Sequence, residues 1–209
     1  MRKSAILSLN NRRLFYTIKK NNILILLALC YLVGILLGVF CLKGLSSLEA
    51  IAANDFDKYC AARISGGFFS IFLKSLFSYI PLALIIFLLG TSIAGVAVVP
   101  FAVGYCGFRY GVMAAYLYKT HLLQGIAFNA LLVIPCVIFT LFCYVLSARE
   151  TIGFSVRLIK LSLPKGQAAN LYNDFRYYCK RFCLILLLLV CAAIVDAVLS
   201  LSFLKLFNL

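Results

Sequence analysis

Charged residues are scarce in this sequence, and acidic ones are the scarcest. Only 12% of the 209 residues are Asp, Glu, Lys or Arg, and 6 of them are acidic against 20 basic. Globular proteins carry about a quarter charged residues. Apolar residues make up 65% of the chain, and its mean hydropathy is +1.07. This balance excludes an ordinary soluble domain and predicts an integral membrane protein.

Motifs for catalysis are missing as well. His121 is the one histidine, and the sequence has no paired carboxylates, no H-E-x-x-H, no G-x-S-x-G and no P-loop. Its longest polar stretches are about 30 residues, below the roughly 40 that an unstapled chain needs to fold alone. We therefore expect no enzyme activity, no catalytic residue and no cofactor.

The nine cysteines and the net charge of +14 have simpler explanations than metal or nucleic acid. Most of the cysteines fall in apolar runs, where they act as small packing residues. Cys179 and Cys183 lie one helical turn apart but lack the further ligands of a zinc site. Basic residues flank the apolar runs without any nucleic-acid-binding motif, so membrane lipids are the expected partners and nucleic acid is not.

Long uncharged runs predict an all-α helical bundle in a single membrane domain, with about five transmembrane helices. Thirteen Lys or Arg lie in residues 1–22 and in a basic loop at 147–181, against six in or at the edge of the remaining connections and in the C-terminus. This bias predicts a cytoplasmic N-terminus, an extracytoplasmic loop at 43–71 and an extracytoplasmic C-terminus. The predicted spans are residues 23–42, 72–90, 96–118, 125–146 and 182–203.

Four local features refine this topology. Ser46 to Glu49 form a capping-box pattern that predicts a short helix in the extracytoplasmic loop. The uncharged stretch from Ser75 to Phe108 predicts two helices joined by a glycine-based turn, with one long helix and a re-entrant segment as the alternative. Pro135 is expected to kink the fourth span. The basic segment 1–22 is expected to lie on the cytoplasmic membrane surface.

Two charged residues fall in the interior of predicted spans, away from their ends: Arg109 in the third and Asp196 in the fifth. Buried charges are costly in a membrane and are usually paired. Because both residues lie at about the same depth, we expect an interhelical Arg109–Asp196 pair. The alternatives are that each side chain extends to the outer interface, or that the two serve an ion pathway.

Glycines are the most distinctive feature of the sequence. Two G-x-x-x-G pairs, one in the first span and one in the third, leave helix faces nearly bare of side chains. Such faces allow close helix packing, either within the chain or against a partner such as a second copy of it. The expected helix-packing residues are Gly34, Gly38, Gly90, Gly95, Gly107, Gly111 and Gly125.

The glycine pattern resembles that of the stage II sporulation protein M family. The matching residues are LLGxSxxG at Leu88 to Gly95, GFRYG at Gly107 to Gly111, and Gly125, with Pro135 in the helix that follows. The chain departs from the family at Ala115, where many members have glycine, and near Asn129, where a proline-polar pair is missing.

The resemblance implies a function without catalysis. Family members are similar to membrane anchors or scaffolds in the cell membrane of spore-forming bacteria, where they assemble peptidoglycan-remodelling partners during sporulation engulfment. Such a partner would engage the loop at 43–74 or the glycine face. The alternative function is a small permease or the membrane subunit of a transporter.

Overall fold

The computed structural model describes residues 22–64, 66–162 and 171–203, which form helices and contain no strand. The segment 1–21, with its expected place on the membrane surface, lies outside them. Among the described residues, four helical stretches are long and apolar enough to cross a membrane: 22–44, 68–90, 95–159 and 172–203. The helices are α1 (Asn22–Gly44), α2 (Ser46–Ile64), α3 (Phe68–Gly90), α4 (Gly95–Phe128), a π-helical turn (Asn129–Val133), α5 (Ile134–Ser162) and α6 (Leu171–Phe203).

The stretch 95–159 folds back on itself at Leu122, whose φ of 44° and ψ of −121° are not helical. A straight helix would place Tyr110 and Asn129 about 28 Å apart. Instead the Asn129 side-chain amide donates a hydrogen bond to the Tyr110 hydroxyl over 3.3 Å. The chain therefore forms a helical hairpin at residues 119–124, the polar break that separates the third and fourth predicted spans. The hairpin suits the five-span interpretation, and the exact set of spans stays a prediction.

Helices α3 and α5 run in the same direction and in a fixed register. Three side chains of α5 donate hydrogen bonds to backbone carbonyls of α3, each exactly 65 residues earlier in the chain: Tyr144 to Tyr79, Thr151 to Ile86, and Ser155 to Gly90. Two parallel neighbours need an antiparallel helix between them in the chain, and α4 before Leu122 is that helix. A short turn at residues 91–94 joins α3 to α4, as in the two-helix interpretation of Ser75 to Phe108.

Helix α6 runs antiparallel to α5, because Arg181 pairs with Glu150 and Arg157 pairs with Asp174. These ion pairs lie beside the turn at 91–94. We call this side of the bundle the turn end, and the opposite side, which holds α2 and the hairpin at Leu122, the α2 end.

Helices α1 and α4 pack through their two G-x-x-x-G pairs and run parallel. A Cβ atom on Gly34 would overlap the backbone of Gly104, and one on Gly38 would overlap that of Phe108. In return, a Cβ on Gly107 or Gly111 would overlap the backbone of α1 at Tyr31 or Ile35. Missing side chains on both helices allow this backbone-to-backbone approach.

Helix α2 does not join the bundle as another spanning helix but lies across its α2 end. Its buried face carries Ala52 and Phe56, which are 3% and 4% exposed. The Phe56 ring packs against Tyr116 of α4 and, edge to face, against Phe128 beyond the hairpin. Helix α2 thereby contacts both arms of the hairpin.

Pro135 is the second residue of α5, which begins where the π-helical turn ends. Proline lacks a backbone N–H and its ring collides with the carbonyl four residues earlier, so a regular helix is interrupted just before it. The π-helical turn is the form that this interruption takes here. A distortion of the helix at Pro135 was expected from the sequence.

Candidate functional site

A buried ion pair joins Arg63, near the end of α2, to Asp196 of α6. The guanidinium Nη2 lies 2.5 Å from the carboxylate Oδ2. The two side chains are 8% and 1% exposed. A buried pair of this kind survives only if further hydrogen bonds replace the water that both charges have lost.

The Asp196 carboxylate has those further bonds. Its Oδ2 accepts hydrogen bonds from the Ser75 hydroxyl over 2.5 Å and from the Tyr79 hydroxyl over 3.1 Å, both on α3. Its Oδ1 accepts from the Cys136 thiol of α5 over 3.4 Å and from Ser200, one turn along α6, over 3.5 Å. One carboxylate thus connects α2, α3, α5 and α6.

The Arg63 guanidinium is equally well satisfied. Its Nε donates to the Ser200 hydroxyl over 3.1 Å, and Nη1 donates to the Tyr59 carbonyl over 3.5 Å. Its central carbon, Cζ, lies 3.4 Å from the centre of the Tyr59 ring. Burial disfavours the charged form, but Tyr59 and the Asp196 carboxylate outweigh burial, so the pKa of Arg63 is raised and the guanidinium stays charged.

This cluster is built to hold helices together. Removing either charge would leave the other buried without a partner, the costliest outcome for a buried pair. Among the residues that the structure describes, no group of three or more His, Cys, Asp and Glu could hold a metal ion.

The expected Arg109–Asp196 pair is not formed. Asp196 binds Arg63 instead, and the Arg109 guanidinium lies 3.7 Å from the carboxylate of Asp55 on α2. Because α2 lies across the α2 end, it supplies Arg63 as the partner of Asp196 and Asp55 as the partner of Arg109. The Arg109 side chain is 62% exposed, so it lies on the outside of the bundle and not in its core.

Sequence reasoning missed Arg63 because it assigned the residue to an extracytoplasmic loop. A signal was present in the spacing. Ala52, Phe56, Tyr59 and Arg63 recur at helical intervals and form one face of α2. An arginine that continues an apolar face needs a buried acidic partner, and Asp196 is the acid inside a span.

The seven glycines named from the sequence all pack closely within the chain. Beyond the four in α1 and α4, a Cβ on Gly90 would overlap the Tyr178 hydroxyl, and one on Gly95 would overlap the Leu89 carbonyl. A Cβ on Gly125 would overlap the Leu117 carbonyl inside the hairpin. These glycines therefore serve internal packing.

A model of the family described as "Stage II sporulation protein M" matches residues 27–201. This match spans most of the chain. The chain belongs to the stage II sporulation protein M family. No curated protein and no solved structure matches it.

The family match covers the buried cluster and the glycine contacts together, since both lie within residues 27–201. It identifies a membrane protein of a sporulation family. The LLGxSxxG segment forms the end of α3 and the turn at 91–94, and GFRYG forms the part of α4 that faces α1.

Proposed function

We propose that this stage II sporulation protein M family member is a multi-pass anchor in the bacterial cell membrane. In the proposed topology, the turn end is cytoplasmic and α2 is extracytoplasmic. The basic segments 1–22 and 147–181 support this orientation, because cytoplasmic segments next to spans are rich in Lys and Arg. Its role is non-enzymatic: it holds peptidoglycan-remodelling proteins at the membrane during engulfment.

The observation that carries the proposal is the way in which α2 is fastened. Near its start, Glu49 accepts two 2.8 Å hydrogen bonds from Lys119 at the hairpin. In its middle, Phe56 packs against Tyr116 and Phe128. Near its end, Arg63 enters the buried cluster. A helix fixed at three points is a rigid platform, and a rigid surface loses little conformational entropy when a partner binds.

The opposite face of α2 is exposed and carries small or polar side chains. Ser47, Ala50, Asn54, Asp57 and Lys58 lie along it at helical spacing. Ala50 and Asn54 are one turn apart at its centre, where a partner's backbone could approach closely. We call these five residues the α2 outer face.

The partner contact is tested by native pull-down of the tagged full-length chain from sporulating cells. The double variant Ala50→Arg/Asn54→Arg places two bulky charges at the centre of the α2 outer face without touching its buried side. We expect wall-remodelling proteins to co-purify with the wild type and to be lost with the double variant.

Gly153→Arg is the matched control. Gly153 lies at the turn end, and a Cβ atom added there has open space around it. The control should retain the partners. Equal recovery of wall-remodelling proteins with the α2 double variant would contradict docking on this face.

The transporter alternative finds less support. A transport pathway would use Asp196, the acid within a span. Its carboxylate accepts five hydrogen bonds from four helices and the residue is 0% exposed, which favours a structural role. Vesicle flux that depends on Asp196 while the fold remains intact would restore the transporter hypothesis.

A further inference from the structure

A groove opens on the side of the bundle at the α2 end, away from the α2 outer face. Its lining comes mainly from α2, α3, α4 and α5. Its volume is about 520 Å³, within the range of roughly 300 to 1,000 Å³ typical of ligand sites. Aromatic and aliphatic side chains line most of it, among them Leu82, Tyr105, Val137 and Tyr144.

Arg109 and Asp55 are the two charged residues in the groove lining. Their 3.7 Å contact is longer than a hydrogen bond, and their side chains are 62% and 49% exposed. No other hydrogen bond or ion pair of Arg109 is formed with the described residues. Arg63, by comparison, donates to the cluster through all three of its nitrogens. Arg109 therefore presents several N–H donors to the groove without acceptors.

The charged residues of the groove lie towards the α2 end of the bundle. Arg109 is the first charge along α4, about 14 residues or roughly 21 Å from Gly95. Lys74 is the first charge along α3 in the same direction, about 16 residues or roughly 24 Å from Gly90. Starting from the turn at 91–94, α3 and α4 therefore carry no charge up to the level of these two cations, and the charged part of the groove lies at this level.

We propose that the groove binds a phospholipid with a primary ammonium headgroup, its phosphate on Arg109 and its ammonium on Asp55. The planar guanidinium matches phosphate oxygens in a fork geometry. The Asp55 carboxylate accepts hydrogen bonds from the ammonium, which two carbons separate from the phosphate ester. The aromatic and aliphatic walls take the first part of an acyl chain while the remainder stays in the bilayer.

The charges favour this ligand over its competitors. An anionic lipid without an ammonium would bring its negative charge beside Asp55 and leave that carboxylate unpaired. A helix of a partner protein is too large for the groove. A helix about 10 Å wide fills roughly 420 Å³ per turn, so the groove would hold only about one turn of it.

The test uses the full-length chain in mixed micelles with equal amounts of three lipids that share acyl chains and differ in headgroup: phosphatidylethanolamine, phosphatidylcholine and phosphatidylglycerol. Native mass spectrometry measures which lipid stays bound. Since a hydrogen bond to a charged group is strong, we expect phosphatidylethanolamine to be retained about tenfold over either competitor. Phosphatidylcholine is the closest control, because its quaternary ammonium cannot donate.

Four variants separate the two contacts. Arg109→Gln should lose retention of all three lipids, and Arg109→Lys should keep most of it. Asp55→Asn should lose only the preference for phosphatidylethanolamine. Arg176→Gln, an exposed arginine at the turn end, should change nothing. If Arg109→Gln does not fold, Asp55→Asn still tests the proposal, because it removes the preference by a separate contact.

Four results would overturn the proposal. One is equal retention of the three lipids by the wild type, and another is a preference for phosphatidylglycerol. The third is a dimer that replaces the lipid and is lost in Arg109→Gln, which would make a second copy of the chain the occupant. A preference for phosphatidylethanolamine that persists in Asp55→Asn would contradict the assignment equally.

Discussion

Asp196 and Arg63 carry the contact on which the position of α2 depends. Asp196→Asn removes the charge that Arg63 faces and leaves a guanidinium buried without a counterion. Breaking a buried pair on one side costs about 3 to 5 kcal/mol, so the variant should unfold at a markedly lower temperature or denaturant concentration in detergent. Arg63→Gln should have an effect of similar size from the other side of the pair.

Arg181→Gln is the control for this prediction. Its pair with Glu150 has comparable geometry, at 2.7 Å, but the arginine side chain is 63% exposed. Exposed pairs contribute at most about 1 kcal/mol. If Asp196→Asn cost no more than Arg181→Gln, the buried cluster would not be what holds α2 in place.

A double substitution separates the effect of the buried charges on stability from the effect of packing. Replacing both partners, as in Arg63→Met with Asp196→Leu, removes the ion pair without leaving a lone charge. Replacements of this kind are often neutral or stabilising. We expect the double variant to be more stable than Asp196→Asn alone, measured by the same unfolding assay.

The sequence could predict at this scale that Asp196 needs a partner, but not which one. A charge inside an apolar run signals a buried pair whatever the fold is. Choosing between Arg109 and Arg63 requires knowing that α2 crosses over the α2 end. The sequence places α2 outside the membrane and says nothing of what lies beneath it.

At the scale of the helices, two Gly→Ala substitutions should change the stability of the fold in opposite directions. One glycine lies in the contact between α1 and α4, and the other lies in open space on α5. Gly107→Ala should destabilise the fold, because its Cβ would overlap the Tyr31 carbonyl of α1. Gly153→Ala, in open space on α5, should stabilise the fold by about 0.5 to 1 kcal/mol through the higher helix propensity of alanine. Both are measured by unfolding in the same detergent, and stabilisation by Gly107→Ala would contradict the glycine contact.

The hairpin within α4 depends on one strained residue. Leu122 has a φ of 44°, and its side chain is 71% exposed, so little packing is lost when it is replaced. Leu122→Gly should relieve the strain and stabilise the fold by about 1 kcal/mol. Leu123→Gly, at the next residue and 82% exposed but helical, should destabilise the fold by about 1 kcal/mol.

If both glycine variants of the hairpin destabilised the fold equally, the backbone would not be reversed at Leu122. The reversal itself is indicated by the polar break at residues 119–124. The residue that absorbs it could not be predicted, since leucine has no preference for positive φ. The hydropathy of the sequence also does not predict how far α5 and α6 continue at the turn end. Ion pairs stabilise both helices there without burial of apolar side chains.

Over the whole molecule, α1, the first arm of α4, and α6 run in one direction, and α3 and α5 run in the other. Residue 22 and residue 203 therefore lie at opposite ends of the bundle, as an odd number of crossings requires. The fold class follows from composition and uncharged runs alone. The orientation in the membrane rests on the charge bias. It can be tested directly by labelling one residue at each end of the bundle.

Native Cys60 of α2 is a poor reporter of sidedness. Burial raises its pKa to about 11, so its thiol stays protonated at neutral pH and reacts slowly. Asn54→Cys is better, because it lies on the α2 outer face and keeps the buried side of α2 unchanged. Gly153→Cys, in open space at the turn end, is its counterpart.

Labelling of these two cysteines in intact cells by a membrane-impermeant maleimide tests the central claim most directly, that α2 is a fixed platform on the extracytoplasmic side. Relative to the wild-type chain, Asn54→Cys should gain label in intact cells, and Gly153→Cys should gain it only after the membrane is permeabilised. Label gained by both from the same side, or by Gly153→Cys alone in intact cells, would contradict the account.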